Sequence, residues 1–505
     1  MSDWDTIVVG GGTAGCVVAS RLSESPSHRT LLLEAGPDFG AVKDGKWPEA
    51  LRAAAYVDAS GDYDWGLQAL VGASTVPYLQ GRVIGGSSAI NATGINWGLR
   101  SDYDAWAALG NSGWDFDSML PYFHRVECLE ESVGADALRG DKGMLPVTRA
   151  LMPGEGWRHA MESALSSEGL PAVDVSGPSA PVGYGTPSVN ASGGMRVTAA
   201  EAYLDPARGR SNLSVRGGMT VRRLLWEVGR VTGVEVMDEH GELATITAGR
   251  VVLCAGAFGT PTLMQRSGIG PGQALRSVLG ESVRIHDLPG VGQNLRDHYG
   301  TRMSHSGGPL LASMQPGFQA IALRMRSREE LPEYDLNYFM VLSWQDGKPS
   351  IRSSIFNIQP ESSGSVMIKG PDAGTAPRID TDFGRPGDIA ALKSGVQWLR
   401  TLVTSEQLQD WFGEEVAPGR SIDGEELSTW IGGNLCLFHH AVGTCRMGPK
   451  DDVMAVTDAD GRVAGFRNLS IADASIMPTI PRGMINLTVY AVAEKIAAGL
   501  NAAAE

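Results

Sequence analysis

The sequence predicts an α/β protein, α+β overall, in which a parallel sheet covered by helices is interrupted by an inserted unit of antiparallel sheet plus helices. Three observations carry this expectation. Residues 5–36, DTIVVGGGTAGCVVASRLSESPSHRTLLLEAG, pass from a β-branched run through glycines into a helical pattern and out into a second apolar run. The stretch RVVLCAG at 250–256 is apolar without alternation, as a strand buried on both faces would be. Between 301 and 439 the pattern changes to alternation, in YDLNYFMVLSW (334–344) and GSVMIKG (364–370), followed by helical periodicity over 388–403.

At 505 residues the chain exceeds the roughly 100–200 residues of one simple domain. Its 42 Lys and Arg against 57 Asp and Glu give a formal charge of −15, which disfavours nucleic acid and anionic membranes as partners. There is no apolar run of about 18 residues that would span a membrane. The 65 glycines and 27 prolines point to many tight turns, the kind that approach a ligand closely. Five cysteines, Cys16, Cys128, Cys254, Cys436 and Cys445, show no C-x-x-C pairing, so neither a disulfide framework nor a metal site is expected. The first apolar run starts beside Met1 with no room for a signal peptide, which points to a reducing cytoplasm.

The first elements follow from this pattern. Thr6 to Val9 reads as a strand, Thr13 to Leu22 as a helix, and Thr30 to Leu33 as a second strand ending at Glu34. Gly10, Gly12 and Gly15 occupy the G-x-G-x-x-G positions of a Rossmann-like unit. The first allows the turn, the second lets backbone approach a pyrophosphate, and the third lets the helix pack on its strand. Thr13 and Ala14 then open a helix whose N–H groups face the phosphates. Glu34, followed by Ala35, stands 19 residues past Gly15, where a carboxylate can accept from both ribose hydroxyls. This unit alone does not separate NAD from FAD.

Four separated segments decide between them. They are GRVIGGSSAINATGINWGLRSDYDAW at 81–106, GAFGTPTLMQRSGIG at 256–270, GVGQNLRDH at 290–298, and the C-terminal 440–495 from HAVGTCRMG through NLSIADASIMPTIP to AVAEK. Together they resemble the glucose-methanol-choline (GMC) oxidoreductases, flavoproteins that oxidise alcohols. The resemblance implies FAD as cofactor. It places Arg82, Gly85, Gly86, Ser87 and Asn91 along the flavin and diphosphate, and Val221, Ala255 and Gly256 near the adenosine half. It also places Asp473 and Ala474 near the ribityl and phosphate region, Asp473 through backbone and carboxylate. Several family members bind FAD covalently through a histidine in the Gly-Gly-x-Ser segment. Here no histidine lies between His28 and His124, so FAD is expected to be non-covalent. Ile95 stands where the family usually has an aromatic residue.

An alcohol is too weak an acid to lose its proton unaided at neutral pH, so a positioned base is needed. Of nine histidines, His440 begins the segment that resembles the family's His-x-x-Gly-Thr pattern. The resemblance makes it the base beside flavin N5, with Asn486 as its partner, donating to the alcohol oxygen. Asn486 also precedes an apolar helix and could cap it, aiming the helix's positive end at the flavin pyrimidine. The family's usual Asn-Thr-Asn is here Met484-Ile485-Asn486. His439 could line the pocket or pack behind His440.

The cofactor segments are spread along the chain, so the substrate unit must be inserted. The expected division is 1–150, 195–300 and 440–505 for FAD binding, with 151–194 and 301–439 for substrate. Trp344, Phe438, His439, Met484 and Ile485 are the expected pocket wall, mainly apolar, which suits a primary aryl or furanic alcohol. Choline would need an aromatic cage and a carboxylate, for which Asp335 and Glu361 are available in the inserted unit. The leading reading is FAD-dependent alcohol oxidation with dioxygen or another acceptor. The alternative is a flavin-containing hydroxynitrile lyase without redox turnover. A nicotinamide dehydrogenase and a non-catalytic flavin module are disfavoured by the 256–270 segment and by the His440/Asn486 pair. The sequence leaves oxidase against dehydrogenase, and the oligomeric state, open.

Overall fold

The computed structural model describes residues 3–53, 61–130, 136–150, 154–179, 181–313, 317–345 and 347–503. Strand β1 (Trp4–Val9) leads through a glycine turn into helix α1 (Thr13–Leu22) and on to β2 (Thr30–Leu33), which pairs parallel with β1. The helix and the second strand have the bounds expected from the pattern. β1 begins two residues earlier than expected because Trp4 pairs with Ala248. Strand β3 (Leu213–Arg216) adds parallel to the outer edge of β2.

The chain then forms an antiparallel meander of β4 (Thr220–Glu227), β5 (Arg230–Met237) and β6 (Leu243–Leu253). β6 is long enough to serve two sheets. Its first half pairs antiparallel with β5, and its second half lies parallel to β1. β2 is buried at all four residues and β1 from Thr6 onward, which explains why these runs are apolar without alternation. β6 ends beneath the turn that opens helix α2 (Gly256–Arg266).

The inserted part is a seven-stranded antiparallel sheet. Its core strands are β7 (Tyr299–Gly307), β8 (Leu336–Gln345) and β9 (Lys348–Asn357), flanked by Phe412–Ala417, Gly317–Met325 and Gly183–Gly185. Helix α3 (Pro386–Leu402) packs on one face, where Tyr338, Met340 and Leu342 of β8 meet Leu392, Val396 and Leu399. Residues of the other parity, Phe339 and Val341 on β8 with Ser354 and Phe356 on β9, face a cavity instead.

The chain returns to the first sheet with β10 (Leu469–Ile471), parallel to β6, and ends in helix α4 (Ile485–Ala502). α4 lies against α1. Its Glu494, fully buried, accepts from Arg21 at 2.7 Å and from the Tyr203 hydroxyl at 2.9 Å. Such a buried pair fixes register more than it adds stability, and breaking it by removing one partner costs about 3–5 kcal/mol. It ties the last turn of α1 to the middle of α4.

One sheet crosses the expected division of the chain. Ser74–Tyr78 pairs with Leu67–Val71, which pairs in turn with Arg378–Asp380, and the sheet continues into Gly364–Met367 and Gln293–Leu295. Residues 1, 151 and 505, which bound the expected units, lie outside the described residues. Among the described residues no helix is long and apolar enough to cross a membrane, and no cluster of His, Cys, Asp and Glu could hold a metal. All five cysteines are free thiols.

Candidate active site

One continuous cavity of about 1680 Å³ runs from the tips of β1 and β2 to the sheet face of β7, β8 and β9. It is larger than the roughly 300–1,000 Å³ of an ordinary small-molecule pocket, as a site for an extended dinucleotide plus a substrate should be.

At the nucleotide end, Gly10 has φ +99 and a Cβ there would lie 2.6 Å from the Cys254 carbonyl oxygen, so only glycine fits the turn. Gly12 caps α1 with no side chain on its N–H groups, and a Cβ on it would meet nothing nearer than 3.8 Å. The free N–H groups of the first helical turn, with Thr13 and Ala14 in the wall, therefore open onto the cavity. Glu34 lies in the wall with Ala35. Its Oε2 accepts from Gly11 N–H at 2.7 Å and its Oε1 from Gly36 N–H at 2.8 Å. Burial raises the Glu34 carboxyl to about 7. Arg82 also lines this end, stacked over Trp65 at 5.3 Å.

The 85–91 turn forms the next part of the wall. Gly86, at φ +54, abuts Gly12, and a Cβ on it would sit 2.6 Å from the Gly12 Cα. Ser87 lines the cavity and its Oγ accepts from Gly81 N–H. Asn91 is held by its Oδ1, which accepts from Arg196 at 2.6 Å and from Thr93 N–H at 3.0 Å. Across from them lie Val221 of β4, Ala255, Gly256, Asp473 and Ala474. The Asp473 carboxylate is fully used inside the protein. Oδ2 accepts from Gly256 N–H and the Thr260 hydroxyl, and Oδ1 from Ser475 N–H and its hydroxyl. The expected carboxylate contact with the cofactor is therefore corrected: each oxygen of this side chain already accepts two hydrogen bonds within the protein, so it braces the wall.

At the other end, β7 pairs with Leu435–Leu437, and the chain turns sharply to bring Phe438, His439 and His440 into the wall. His439 adopts φ +64, uncommon for a side chain with a Cβ. Its Nδ1 accepts from Leu79 N–H at 3.3 Å. Phe438 stacks on Phe356 with centroids 4.0 Å apart and lies 4.2 Å from the His440 ring. His440 is anchored twice. Its backbone N–H donates to Asp297 Oδ1 at 2.7 Å, and its Nδ1 lies 2.9 Å from His298 Nδ1. The Tyr78 hydroxyl donates to Asp297 Oδ2 and accepts from Ala441 N–H, tying the turn to the neighbouring sheet.

Burial holds the His440 imidazole well below its usual 6.5, with His298 and His439 adding to the effect. His298 is lowered to about 3 by burial. His439 is lowered to about 4, first by burial and then by the charge of Arg302. Burial raises Asp297 to about 7. The corner thus holds neutral imidazoles at neutral pH, the state a base requires.

Helix α4 starts between these two ends. Met484 is its N-cap, so the expectation that Asn486 caps the helix is corrected; Asn486 is the second helical residue. Its Oδ1 accepts from the Thr13 hydroxyl at 2.9 Å, which links the two helix starts. Its Nδ2 is buried with no partner among the described residues. Met484, Ile485 and Asn486 all line the cavity, so the positive end of α4 opens into it.

Most residues expected at the site therefore line one cavity, and three do not. Trp344 belongs to the opposite face of β8. It packs with the core under α3, because Phe339 and Val341 face the cavity and Trp344 has the other parity. Gly15 and Gly85 shape the turns from behind: a Cβ on Gly15 would lie 1.8 Å from the Gly10 carbonyl oxygen, and Gly85 turns the chain at φ +94. Asp335 and Glu361, the carboxylates considered for a choline site, are absent from the wall. Sequence reasoning missed Tyr78, Asp297, His298, Arg302 and Arg352. The segment GVGQNLRDH ends in Asp297 and His298, so its place in the resemblance was the signal available for that pair.

These features fit FAD. The open cradle at Gly12, two uncapped helix N-termini, Glu34 at the far end and the orphaned Asn486 Nδ2 supply a diphosphate seat, a ribose acceptor and a donor along one cavity. Comparison with known proteins agrees. The model for the GMC oxidoreductase N-terminal domain matches residues 4–300, and that for the C-terminal domain matches residues 360–493. A 5-(hydroxymethyl)furfural oxidase from a Methylovorus species is 34% identical, over 98% of this chain and 98% of that protein. An oxygen-dependent choline dehydrogenase from Photobacterium profundum is 32% identical, over 98% of this chain and 92% of that protein. Among solved structures, pyridoxine 4-oxidase from Mesorbium loti superposes with a TM-score of 0.88 at 32% identity, covering 99% of each chain. With both family models matched and relatives aligned nearly end to end, the chain belongs to the GMC oxidoreductases, FAD-dependent enzymes that act on CH–OH donors.

Proposed function

We propose that the protein oxidises a primary alcohol on an aryl or furanic ring to the aldehyde, with His440 as the base. The observation that carries this reading is the placement of His440, a neutral imidazole fixed at Nδ1 by His298, in the same cavity as the nucleotide cradle and the start of α4. Among the described residues no well-formed hydrogen bond reaches His298 Nε2, and the carbonyls of Pro481 and Ile358 are the groups that favour a proton on this ring. With that proton on Nε2, His298 Nδ1 accepts from His440 Nδ1–H, and the lone pair of His440 Nε2 is left to take the hydroxyl proton.

FAD, when bound, would supply the two-electron acceptor for the hydride leaving the carbinol carbon, with dioxygen or another acceptor as the final oxidant. Phe438, Phe356 and Phe339 supply an apolar wall beside the base that suits a flat ring and excludes water. Asn486, its Oδ1 tied to Thr13, directs its Nδ2 hydrogens at an oxygen acceptor within the cavity. The wall segment 81–96 contains no histidine, cysteine or tyrosine, in keeping with FAD held non-covalently. The names of the furfural oxidase and pyridoxine oxidase relatives point to ring-borne hydroxymethyl groups. Nothing in the site favours the lyase alternative.

The test is anaerobic bleaching of the flavin by a panel of benzylic, furanic, aliphatic and amino alcohols, followed by air. Bleaching by ring-borne hydroxymethyl groups supports the reading. A flavin that no alcohol reduces would sink it, and the rate at which colour returns in air separates oxidase from dehydrogenase.

A further inference from the structure

We propose that the outer half of the cavity binds an anion, so that the preferred alcohol carries a carboxylate or phosphate ester at the end away from its carbinol carbon. This deepens the alcohol-oxidation reading above and rests on it for the word alcohol, although the anion site itself does not.

The register of the inserted sheet carries the argument. Gly300 pairs with Phe356, Arg302 with Ser354, and Ser304 with Arg352. These pairs have one parity and so share one face, the face that lines the cavity. Phe356 stacks on Phe438 beside His440, which makes the first pair the row nearest the base. Arg302 stands one side-chain repeat farther out, about 7 Å along the strand, and Arg352 about 7 Å beyond that.

Both arginines line the cavity and are exposed to it. Neither forms an ion pair or hydrogen bond with a described residue, whereas other arginines of this chain do find acids, as Arg400 does in Glu415 and Arg139 in Glu127. As diagonal neighbours on adjacent strands, about 7–8 Å apart, two like charges repel unless something between them carries the opposite sign.

Among the described residues no acid of the wall serves that purpose. Glu34 and Asp473 are bonded to backbone at the nucleotide end, and neither Asp64, which accepts from Gln80 N–H, nor Glu130, which accepts from the Ser192 hydroxyl, forms an ion pair with Arg302 or Arg352. The charge of Arg302 does reach the site, since it lowers His439. Two unpaired guanidinium forks on a cavity wall suit bidentate binding of a carboxylate or phosphate. The same pair would repel a quaternary ammonium alcohol.

The experiment measures binding of non-oxidisable probes to the FAD-loaded enzyme by calorimetry: 4-methylbenzoate, 4-methylphenyl phosphate and the neutral 4-methylbenzamide. We expect either anion to bind roughly 10- to 100-fold more tightly than the amide, the effect of one charge-assisted hydrogen-bond set. Arg302→Gln and Arg352→Gln should each reduce that preference, and Arg302→Lys should restore part of it, with flavin absorbance confirming an intact holoenzyme in every variant. Equal affinity for anion and amide in the parent enzyme, or a preference unchanged in both glutamine variants, would overturn the proposal. Flavin bleaching by 4-(hydroxymethyl)benzoate is read separately. Arginine-dependent anion binding without bleaching by any alcohol would remove the redox reading and keep the anion site.

Discussion

His298 Nδ1 and His440 Nδ1 stand 2.9 Å apart, with ring centroids separated by 5.1 Å and planes inclined at 77°. One proton therefore lies between two imidazoles, and the ring that faces the cavity is fixed by the ring behind it. His298 acts through His440 and is a positioning residue. His298→Ala should keep FAD and bind substrate with little change, yet lower the limiting rate of flavin reduction about tenfold or more, the size of one lost hydrogen bond. His440→Ala should lower it by about 10²–10⁴. Stopped-flow reduction over a range of alcohol concentrations separates rate from affinity. A His298 variant that reduces at the parental rate would show that His440 needs no such support.

The pH dependence follows from the direction of the His440 shift. A group whose protonated form is disfavoured by burial, and then by two neighbouring imidazoles, stays neutral to lower pH than a free histidine. Protonation would remove the base, so activity falls on the acid side, and it should fall below pH 6.5. Anaerobic flavin reduction measured from pH 5 to 8 should be flat through the upper part of that range. An acid limb centred at or above 6.5 would mean that His440 is not the group being titrated.

The nucleotide end was legible in the sequence because its constraints are local. Gly10, Gly12, Gly15 and Glu34 are fixed by one turn and its flanking strands, and α1 and β2 have the bounds their pattern predicts. The base corner was legible only at His440. Tyr78, Asp297 and His298 meet it from segments that are 363 and 142 residues away in sequence, distances across which local pattern carries no information. Trp344 shows the opposite failure. Its strand was recognised, but choosing an aromatic for the wall ignored that alternation gives one parity to the cavity and the other to α3, a question only the register with β9 answers. Arg302 and Arg352 carry no local signal in the sequence, and only the register of β7 with β9 brings them onto one face.

The Thr13 hydroxyl donates to Asn486 Oδ1 and so joins the cofactor helix to the start of α4. Thr13→Val removes the donor with little change of shape, leaving the Asn486 amide free to rotate and its Nδ2 without a fixed direction. The expected result is slower flavin reduction, by several-fold to about tenfold, at unchanged alcohol affinity, with Thr13→Ser close to the parent. If Thr13→Val reduces as fast as Thr13→Ser, the orientation of Asn486 does not matter to the reaction.

Gly12 and Gly15 should fail in different ways when each is replaced by alanine. A Cβ on Gly15 would overlap the Gly10 carbonyl oxygen at 1.8 Å, so α1 would have to move away from β1, and the chain should lose stability whether or not FAD is present. Gly12 has φ −76, which alanine accepts, and the nearest atom to its added methyl would be the Gly86 Cα at 3.8 Å. That methyl would project into the cavity where the N–H groups of α1 gather. Gly12→Ala should therefore melt like the parent when both are stripped of FAD, yet purify with much less flavin per chain. The two measurements are the melting temperature of the apoprotein and the ratio of flavin to protein absorbance. Full flavin loading of Gly12→Ala would show that the pyrophosphate does not cross this turn, and the assignment of the α1 N-terminus as its seat would fall with it.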